Sequence, residues 1–185
     1  MSVTTETTIP GYVAGTWTID PVHSEVGFTV RHMMVSKVRG KFNEFSGELV
    51  TAENPLESRV SASIDLPSID TGNPDRDNHI RSADFFETDT FKTMTFHSTG
   101  LRVDGDDYVL DGDLTLKGVT KPVSLQLELG GFGPDAFGGI RAGFSATGEI
   151  KRSDFGVDFN AVLETGGLVV SDKVTINLEI EAVLN

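Results

Sequence analysis

The 185-residue sequence has no cysteine, one tryptophan, two tyrosines and fewer basic than acidic residues. The absence of cysteine excludes disulfides, thiol catalysis and thiolate metal sites. Fifteen Lys and Arg against 28 Asp and Glu give a net charge of −13, and the basic residues are scattered along the chain. This pattern argues against nucleic acid and anionic membranes as partners. No hydrophobic run approaches transmembrane length, so we expect no stable membrane insertion.

The N-terminal part of the sequence lacks the features of a secretion signal. Residues 1–20 carry neither a basic region nor an apolar core, which predicts a cytoplasmic protein. Residues 1–14 are polar and rich in threonine, and we expect them to form a flexible arm. Residues 15–185 have the length of one domain that can bury a sizeable core or enclose a cavity.

Alternation of apolar and polar residues recurs along this domain and predicts strands with one buried and one exposed face. The alternating segments are 26–30, 60–66, 108–116, 123–129, 140–146 and 174–180, with a short additional strand at 17–19. The turn signals between them are Asp104-Gly105, Lys117-Gly118 and Gly138-Gly139. In segment 38–50 the apolar phase shifts, which predicts a β-bulge near Asn43 or Glu44.

These features predict an all-β fold, an extended antiparallel barrel of about eight strands. A barrel of that size is either filled by its own side chains or holds one small ligand. Small residues on the apolar faces fit a hollow barrel, but they also fit the taper of a filled one. The small residues are Gly40, Ala62, Gly112, Ala142, Ala146, Gly148 and Ala182.

The segment 69–97 interrupts the strand pattern with helical turns. Pro74 follows two possible caps, Thr71 and Asn73, and 82–86 predicts a second short turn. In one interpretation the insert caps an end of the barrel, plugging it with apolar side chains while a polar one binds a ligand head group. The plug would be Ile80, Phe85 and Phe86, and the polar contact Arg76 or His79. In the other, Asp77, Arg81 and Asp84 form a purely structural network.

Four stretches of this sequence carry a family resemblance. They are 16–47 (TWTIDPVHSEVGFTVRHMMVSKVRGKFNEFSG), 68–99 (SIDTGNPDRDNHIRSADFFETDTFKTMTFHST), 111–131 (DGDLTLKGVTKPVSLQLELGG) and 143–158 (GFSATGEIKRSDFGVD). In this order they resemble the successive signatures of the YceI-like family. The resemblance implies a lipocalin-like barrel whose narrow hydrophobic pore holds a polyisoprenoid, in some members an isoprenoid quinone. Many relatives carry a periplasmic signal peptide, which this sequence lacks.

The alternation and the resemblance together predict which residues meet the ligand. The predicted pore wall consists of Phe28, Val30, Phe42, Ile64, Leu66, Leu114 and Phe144. His32 shares their parity and is expected to point inward near a barrel end. The turn 152–156 resembles a second helical insert at the rim, with Phe155 pointing inward. Ordinary core packing is the alternative for each of these residues.

Catalytic and metal signatures are not evident in the sequence. The four histidines match no metal-ligand spacing, so no metal site is predicted. Asp20, His23 and Ser24 are adjacent in one extended run and are not expected to form a triad. The acidic segment 104–113 has Val109 at the position of the glycine of a calcium loop, and Thr115 stands at the position of its final glutamate. This segment therefore predicts a hairpin turn.

The sequence therefore predicts a non-catalytic protein that sequesters or transports a polyprenyl chain or an isoprenoid quinone, and no other cofactor is required. Two alternatives remain: an enzyme acting on an isoprenoid or quinone lipid, with His32, His79 or Arg76 as acid or base, and a solid structural barrel in stress response. A homodimer is possible through outward apolar residues such as Val109 and Val183.

Overall fold

The computed structural model describes residues 9–33, 35–160 and 169–185. These residues form eleven β-strands, three 3₁₀ turns (Pro55–Glu57, Leu66–Ser68 and Arg152–Phe155) and one α-helix, α1 (Pro74–Arg81). The strands are β1 (Gly15–Ile19), β2 (Glu25–His32), β3 (Ser36–Phe42), β4 (Phe45–Thr51), β5 (Arg59–Asp65), β6 (Ile69–Asp70), β7 (Thr93–Asp104), β8 (Asp107–Leu116), β9 (Val119–Pro134), β10 (Ile140–Lys151) and β11 (Val170–Leu184).

The strands close into the predicted eight-stranded antiparallel barrel, in which β3 and β4 act as one bent strand. From β2 the neighbours follow chain order through β3/β4, β5, β7, β8, β9, β10 and β11, and β11 pairs back onto β2. Short β1 lies between β4 and β11, and β6 pairs with β3. β1 and β6 thus pair with strand edges at the places where the bend between β3 and β4 separates neighbouring strands.

The bend lies at Asn43 and Glu44, as predicted, but it is a break between strands rather than a bulge. The backbone amide of Asn43 donates to the carbonyl of Ser68 at 3.1 Å, and that of Glu44 to the Ser68 hydroxyl at 3.0 Å. These amides bond to a 3₁₀ turn instead of a neighbouring strand, so the ladder ends at Phe42 and resumes at Phe45. The shift in the apolar alternation of segment 38–50 reflects this change in the hydrogen-bonding partners of Asn43 and Glu44.

Two predicted local signals are present in the structure. Lys117 and Gly118 both have positive φ, at 52° and 77°, which is the geometry of a two-residue turn between antiparallel strands. In α1, Pro74 occupies the first turn and the Asn73 side chain accepts from the amides of Asp75 and Arg76, so Asn73 is the N-cap.

Among the described residues, no helix has the length and apolar character needed to cross a membrane.

The buried apolar residues form two clusters. The larger one surrounds the middle of the barrel and its α1 end, and includes Phe42, Leu66 and Phe155. The smaller one lies at the opposite end around Trp17, which is fully buried. Val109 is 4% exposed, so it offers no free surface for the dimer contact suggested from its outward parity.

The described part of the predicted N-terminal arm, residues 9–14, contacts the barrel. The Tyr12 hydroxyl donates to the carbonyl of Ala52, and the Val13 carbonyl accepts from the hydroxyl of Thr51 at 2.7 Å. The rest of the arm lies outside the described residues.

Candidate functional site

A cavity of about 490 Å³ lies inside the barrel and is lined by residues from both of its ends. We call the α1 end, with Arg76, His79 and Phe159 in the lining, the mouth, and the end with Tyr12 and Phe132 the base. Between them the wall is almost entirely aliphatic and aromatic. Ligand-binding pockets are commonly of this size and apolar character.

The structure places most of the predicted pore residues on the cavity wall. Phe42, Ile64 and Leu114 are buried there, and His32 lines the cavity at the mouth end of β2. The remaining predicted wall residues that line it are Phe28, Val30 and Phe144. Their contact with a ligand stays a prediction.

Leu66 and Phe155 are corrections to the predicted set. Both are almost completely buried, at 0% and 1% exposed, but they pack in the larger apolar cluster and are absent from the cavity wall. Leu66 follows the last residue of β5 and begins a 3₁₀ turn, so the alternation that predicted its direction no longer applies. Phe155 points inward but into the core beneath its own 3₁₀ turn.

The small residues lie in three different surroundings. A Cβ added at Gly40 would lie 2.3 Å from the Phe28 ring, and one at Gly112 would lie 2.3 Å from the Phe96 ring. These glycines make room for neighbouring aromatic rings, as the taper interpretation predicted. Ala62 and Ala146 face the cavity instead, whereas Ala142 and Ala182 belong to the cluster around Trp17.

The mouth is built from α1 and the turn that follows it. Ile80, Phe85 and Phe86 line the cavity, and Arg76 and His79 line it at its exposed edge. This placement agrees with the cap interpretation of the insert.

His79 belongs to a small polar and aromatic cluster at the mouth. Its Nε2 lies 2.8 Å from a carboxylate oxygen of Asp84, and its ring meets those of Phe85 and Phe159 edge-on at 5.1 and 5.2 Å. Phe85 and Phe159 also meet edge-on, at 5.3 Å. Three rings and one carboxylate therefore border the opening.

Two of the three residues of the alternative structural network, Asp77 and Arg81, bond to the chain before α1, whereas the third, Asp84, bonds to His79 at the mouth. Buried Asp77 accepts from the amide and hydroxyl of Thr71. Arg81 donates to the carbonyls of Pro67 and Ile69 at 2.9 and 3.1 Å. The two interpretations are compatible, because this network holds α1 to the chain before it while the opposite side chains line the cavity.

Arg152 is a mouth residue that the sequence analysis missed. It is 8% exposed and donates to the carbonyls of Val157, Phe159, Val170 and Ser171 at 2.9 to 3.3 Å. Burial lowers the pKa of this guanidinium. Its position in the turn 152–156 was a signal, but only the apolar Phe155 of that turn was predicted to point inward.

At the base, aromatic side chains close around the cavity. Phe132 meets Tyr12, Trp17 and Phe144 edge-on, with ring centres 5.3 to 5.9 Å apart. The Trp17 indole nitrogen donates to the buried hydroxyl of Thr51 at 2.8 Å. A buried indole with a hydrogen-bond partner anchors this end without an unsatisfied polar atom.

A second polar cluster lies outside the cavity, at the base. Arg141 Nη1 lies 2.8 Å from a carboxylate oxygen of Asp20 and 2.9 Å from one of Glu181, and His23 Nδ1 lies 2.8 Å from the same Asp20 oxygen. The Arg141 hydrogen bond, followed by that of His23, holds the pKa of Asp20 well below its usual range. Ser24 bonds to the backbone of Glu181, so no triad forms here.

The fold and the cavity agree with a family comparison. A model of the YceI-like domain matches residues 17–182 of this chain. The chain belongs to the YceI-like family.

Sequence and structural relatives support the membership. Protein YceI of Escherichia coli is 42% identical over 152 residues, which cover 80% of each chain. The crystal structure of a Campylobacter jejuni YceI protein is 32% identical, with a TM-score of 0.72 over 90% of this chain and 96% of that one. A polyisoprenoid binding domain from Saccharophagus degradans has the same fold at 19% identity, with a TM-score of 0.67 over 91% of this chain and 98% of that domain.

Proposed function

We propose that this protein binds a polyisoprenoid chain, either a polyprenyl species or an isoprenoid quinone, inside the barrel and carries or sequesters it without changing it. The observation that supports the proposal is the cavity itself, whose wall is apolar between the two ends and polar at the mouth. A long hydrocarbon tail needs an uninterrupted apolar wall. The solid structural barrel considered from the sequence predicted no internal void, and the cavity argues against it.

The energy of such binding comes from burial of hydrocarbon. Each buried CH₂ contributes roughly 0.8 kcal/mol. A few enclosed isoprene units therefore offset the entropy of association and allow micromolar or tighter binding. No hydrogen bond along the wall is required.

The mouth is where the proposal places a polar head group. Arg76 and His79 are exposed at the edge of the cavity, and His32 and Arg152 line it nearby. The Arg76 guanidinium donates to the Thr71 hydroxyl and carbonyl at 2.8 and 2.7 Å, and it retains further N–H donors for an oxygen of the ligand. Quinone carbonyl and phosphate oxygens are both acceptors for such donors.

The direct test is native mass spectrometry of freshly purified protein, followed by organic extraction and identification of the released species. A stoichiometric polyprenyl species supports the proposal and names the ligand. Empty protein that also takes up no isoprenoid quinone in titration overturns it. Chemical change of an added isoprenoid that requires His79 or Arg76 supports the enzyme alternative instead.

A matched pair of variants on β10 tests the location. Ala146 is buried on the cavity wall, and the adjacent Thr147 is exposed. We expect Ala146→Phe to reduce isoprenoid uptake at least about tenfold by filling the cavity, because a phenyl ring displaces several buried CH₂ groups. Thr147→Phe places the same side chain outside and should bind like the wild type. Equal binding by both variants would exclude this cavity as the site.

A further inference from the structure

The net charge and the scattered basic residues of the sequence predicted no anionic-membrane partner, but the fold brings several basic residues together on the hairpin of β2 and β3. Residues 26–42 contain four basic residues and no acidic one, whereas the whole chain carries a net charge of −13. Val30 and Val38 line the cavity, so the alternate residues Arg31, Lys37 and Arg39 lie on the outer face, where all three are exposed.

Two of these basic residues are placed directly opposite each other. Arg31 pairs with Lys37 across the hairpin, immediately below its tip. Like charges in this position destabilise a sheet. No carboxylate of residues 9–33, 35–160 and 169–185 forms an ion pair with Arg31, Lys37 or Arg39. An anionic partner outside the chain would neutralise this pair.

The tip of the hairpin, by which we mean the described residues Met33 and Val35, is apolar and adjoins the mouth. Met33 and Val35 are 43% and 85% exposed. The Met33 amide donates to the carbonyl of Val169, a cavity-lining residue, at 2.6 Å. Exposed apolar side chains above a basic face match the arrangement by which proteins lie on anionic lipid surfaces.

The two ends of the barrel differ in the charge that surrounds their exposed apolar residues. The base also exposes apolar residues in or beside its turns, with Val103 53% exposed and Phe137 92% exposed. Their surroundings are acidic, however: Asp104, Asp106 and Asp107 form the turn beside Val103, and Asp135 accepts from the amide of Phe137. An anionic surface would repel this end.

We propose that the tip of the β2–β3 hairpin docks reversibly on anionic lipid bilayers, so that the mouth faces the membrane that supplies or receives the ligand. The contact is peripheral and differs from membrane insertion. This proposal rests on the proposed function, which gives the docking its purpose. Carboxylates also lie near the mouth away from the hairpin: Asp84 is bonded to His79, Asp172 is bonded to Ser153, and Asp158 follows the 3₁₀ turn at 152–155. The contact is therefore confined to the hairpin side.

The test is sedimentation of the full-length protein with vesicles of phosphatidylcholine, alone or mixed equally with phosphatidylglycerol. We expect binding to the mixed vesicles only, and weaker binding at high ionic strength. Arg31→Gln with Lys37→Gln should reduce it about tenfold or more, since each basic residue near the surface contributes. The control is Lys92→Gln with Lys121→Gln, which removes the same charge from exposed positions on the opposite side of the barrel. Equal loss in both pairs, or no binding by the wild type, overturns the proposal.

A second pair of variants tests the apolar tip. Met33→Ser with Val35→Ser should weaken vesicle binding, whereas Val103→Ser with Phe137→Ser should leave it unchanged. Uptake of an isoprenoid quinone from detergent dispersion is measured in parallel. Variants that keep this uptake but lose transfer from mixed vesicles support docking. A wild type that binds vesicles but takes up no quinone contradicts the proposed function and leaves docking established as a separate property.

Discussion

At the scale of the residue, single side chains determine which part of the barrel is filled and which is empty. The rings of Phe28 and Phe96 lie over Gly40 and Gly112, where a Cβ would approach them to 2.3 Å. Ala146 instead lines the cavity. Protein interiors are close-packed, so these glycines are matched to their neighbouring rings.

The ion-pair cluster at the base leads to a prediction about acid stability. Arg141, followed by His23, lowers the folded-state pKa of Asp20 below its ordinary value of 3.8. Asp20 therefore adds stability that is fully present above its unfolded pKa and is lost as the pH falls through the folded value. We expect Asp20→Asn to lower the free energy of unfolding at neutral pH, with a difference from the wild type that shrinks below about pH 4.

Urea denaturation of the wild type and of Asp20→Asn, from neutral pH to below about pH 4, measures the difference in their free energies of unfolding. In an Arg141→Gln background the same substitution should have a smaller effect with a weaker pH dependence, because its main partner is absent. A difference that stays constant from neutral to acid pH would contradict the assignment.

At the scale of the element, α1 both lines the mouth and anchors the insert. It is eight residues long, too short to be stable alone, and its cap and the Asp77 and Arg81 bonds hold it in place. The sequence predicted this helix with its cap and first-turn proline because those signals are local. It left open whether the insert was a cap or a network; the structure contains the Asp77 and Arg81 bonds of the network and places the residues of the predicted cap on the cavity wall.

The N-cap can be removed without touching the cavity. Asn73→Ala deprives the amides of Asp75 and Arg76 of their acceptor, and we expect a loss of about 1 kcal/mol in the free energy of unfolding. Hydrogen exchange should show faster opening of α1 than of β8. Asn73→Asp keeps an acceptor at this position and should restore most of the loss. Full stability of Asn73→Ala would mean that the network alone holds the helix.

At the scale of the whole molecule, the barrel combines an aromatic base with a hollow centre. Trp17 and the rings around Phe132 surround the base end of the cavity, and α1 covers part of the mouth. An empty apolar cavity forfeits packing contacts that a bound chain would supply. In the proposed function, ligand binding therefore increases the free energy of unfolding of the barrel.

This linkage gives a prediction for heat or urea denaturation. Protein stripped of ligand by organic extraction and refolding should unfold at a lower temperature than protein reloaded with an isoprenoid quinone. At a free ligand concentration one hundred times the Kd the gain is about 2.7 kcal/mol. Ala146→Phe should show no such gain. A gain of equal size in that variant would place the ligand elsewhere.

The sequence by itself determined the elements and their closure into a barrel. Alternation identified strands, paired residues such as Lys117 and Gly118 identified a turn, and the 69–97 segment predicted α1, because each signal depends on residues close together in the chain. The family resemblance came from the same local motifs.

Only the tertiary structure decided which inward residues meet the cavity. Leu66 and Phe155 have suitable parity or type, yet their surroundings are set by segments far away in the sequence. Arg152 is held by carbonyls up to 19 residues away, and Gly40 is matched to a ring on the neighbouring strand. Parity gives the direction of a side chain, but distances between distant segments determine whether it meets a ring, a carbonyl or empty space.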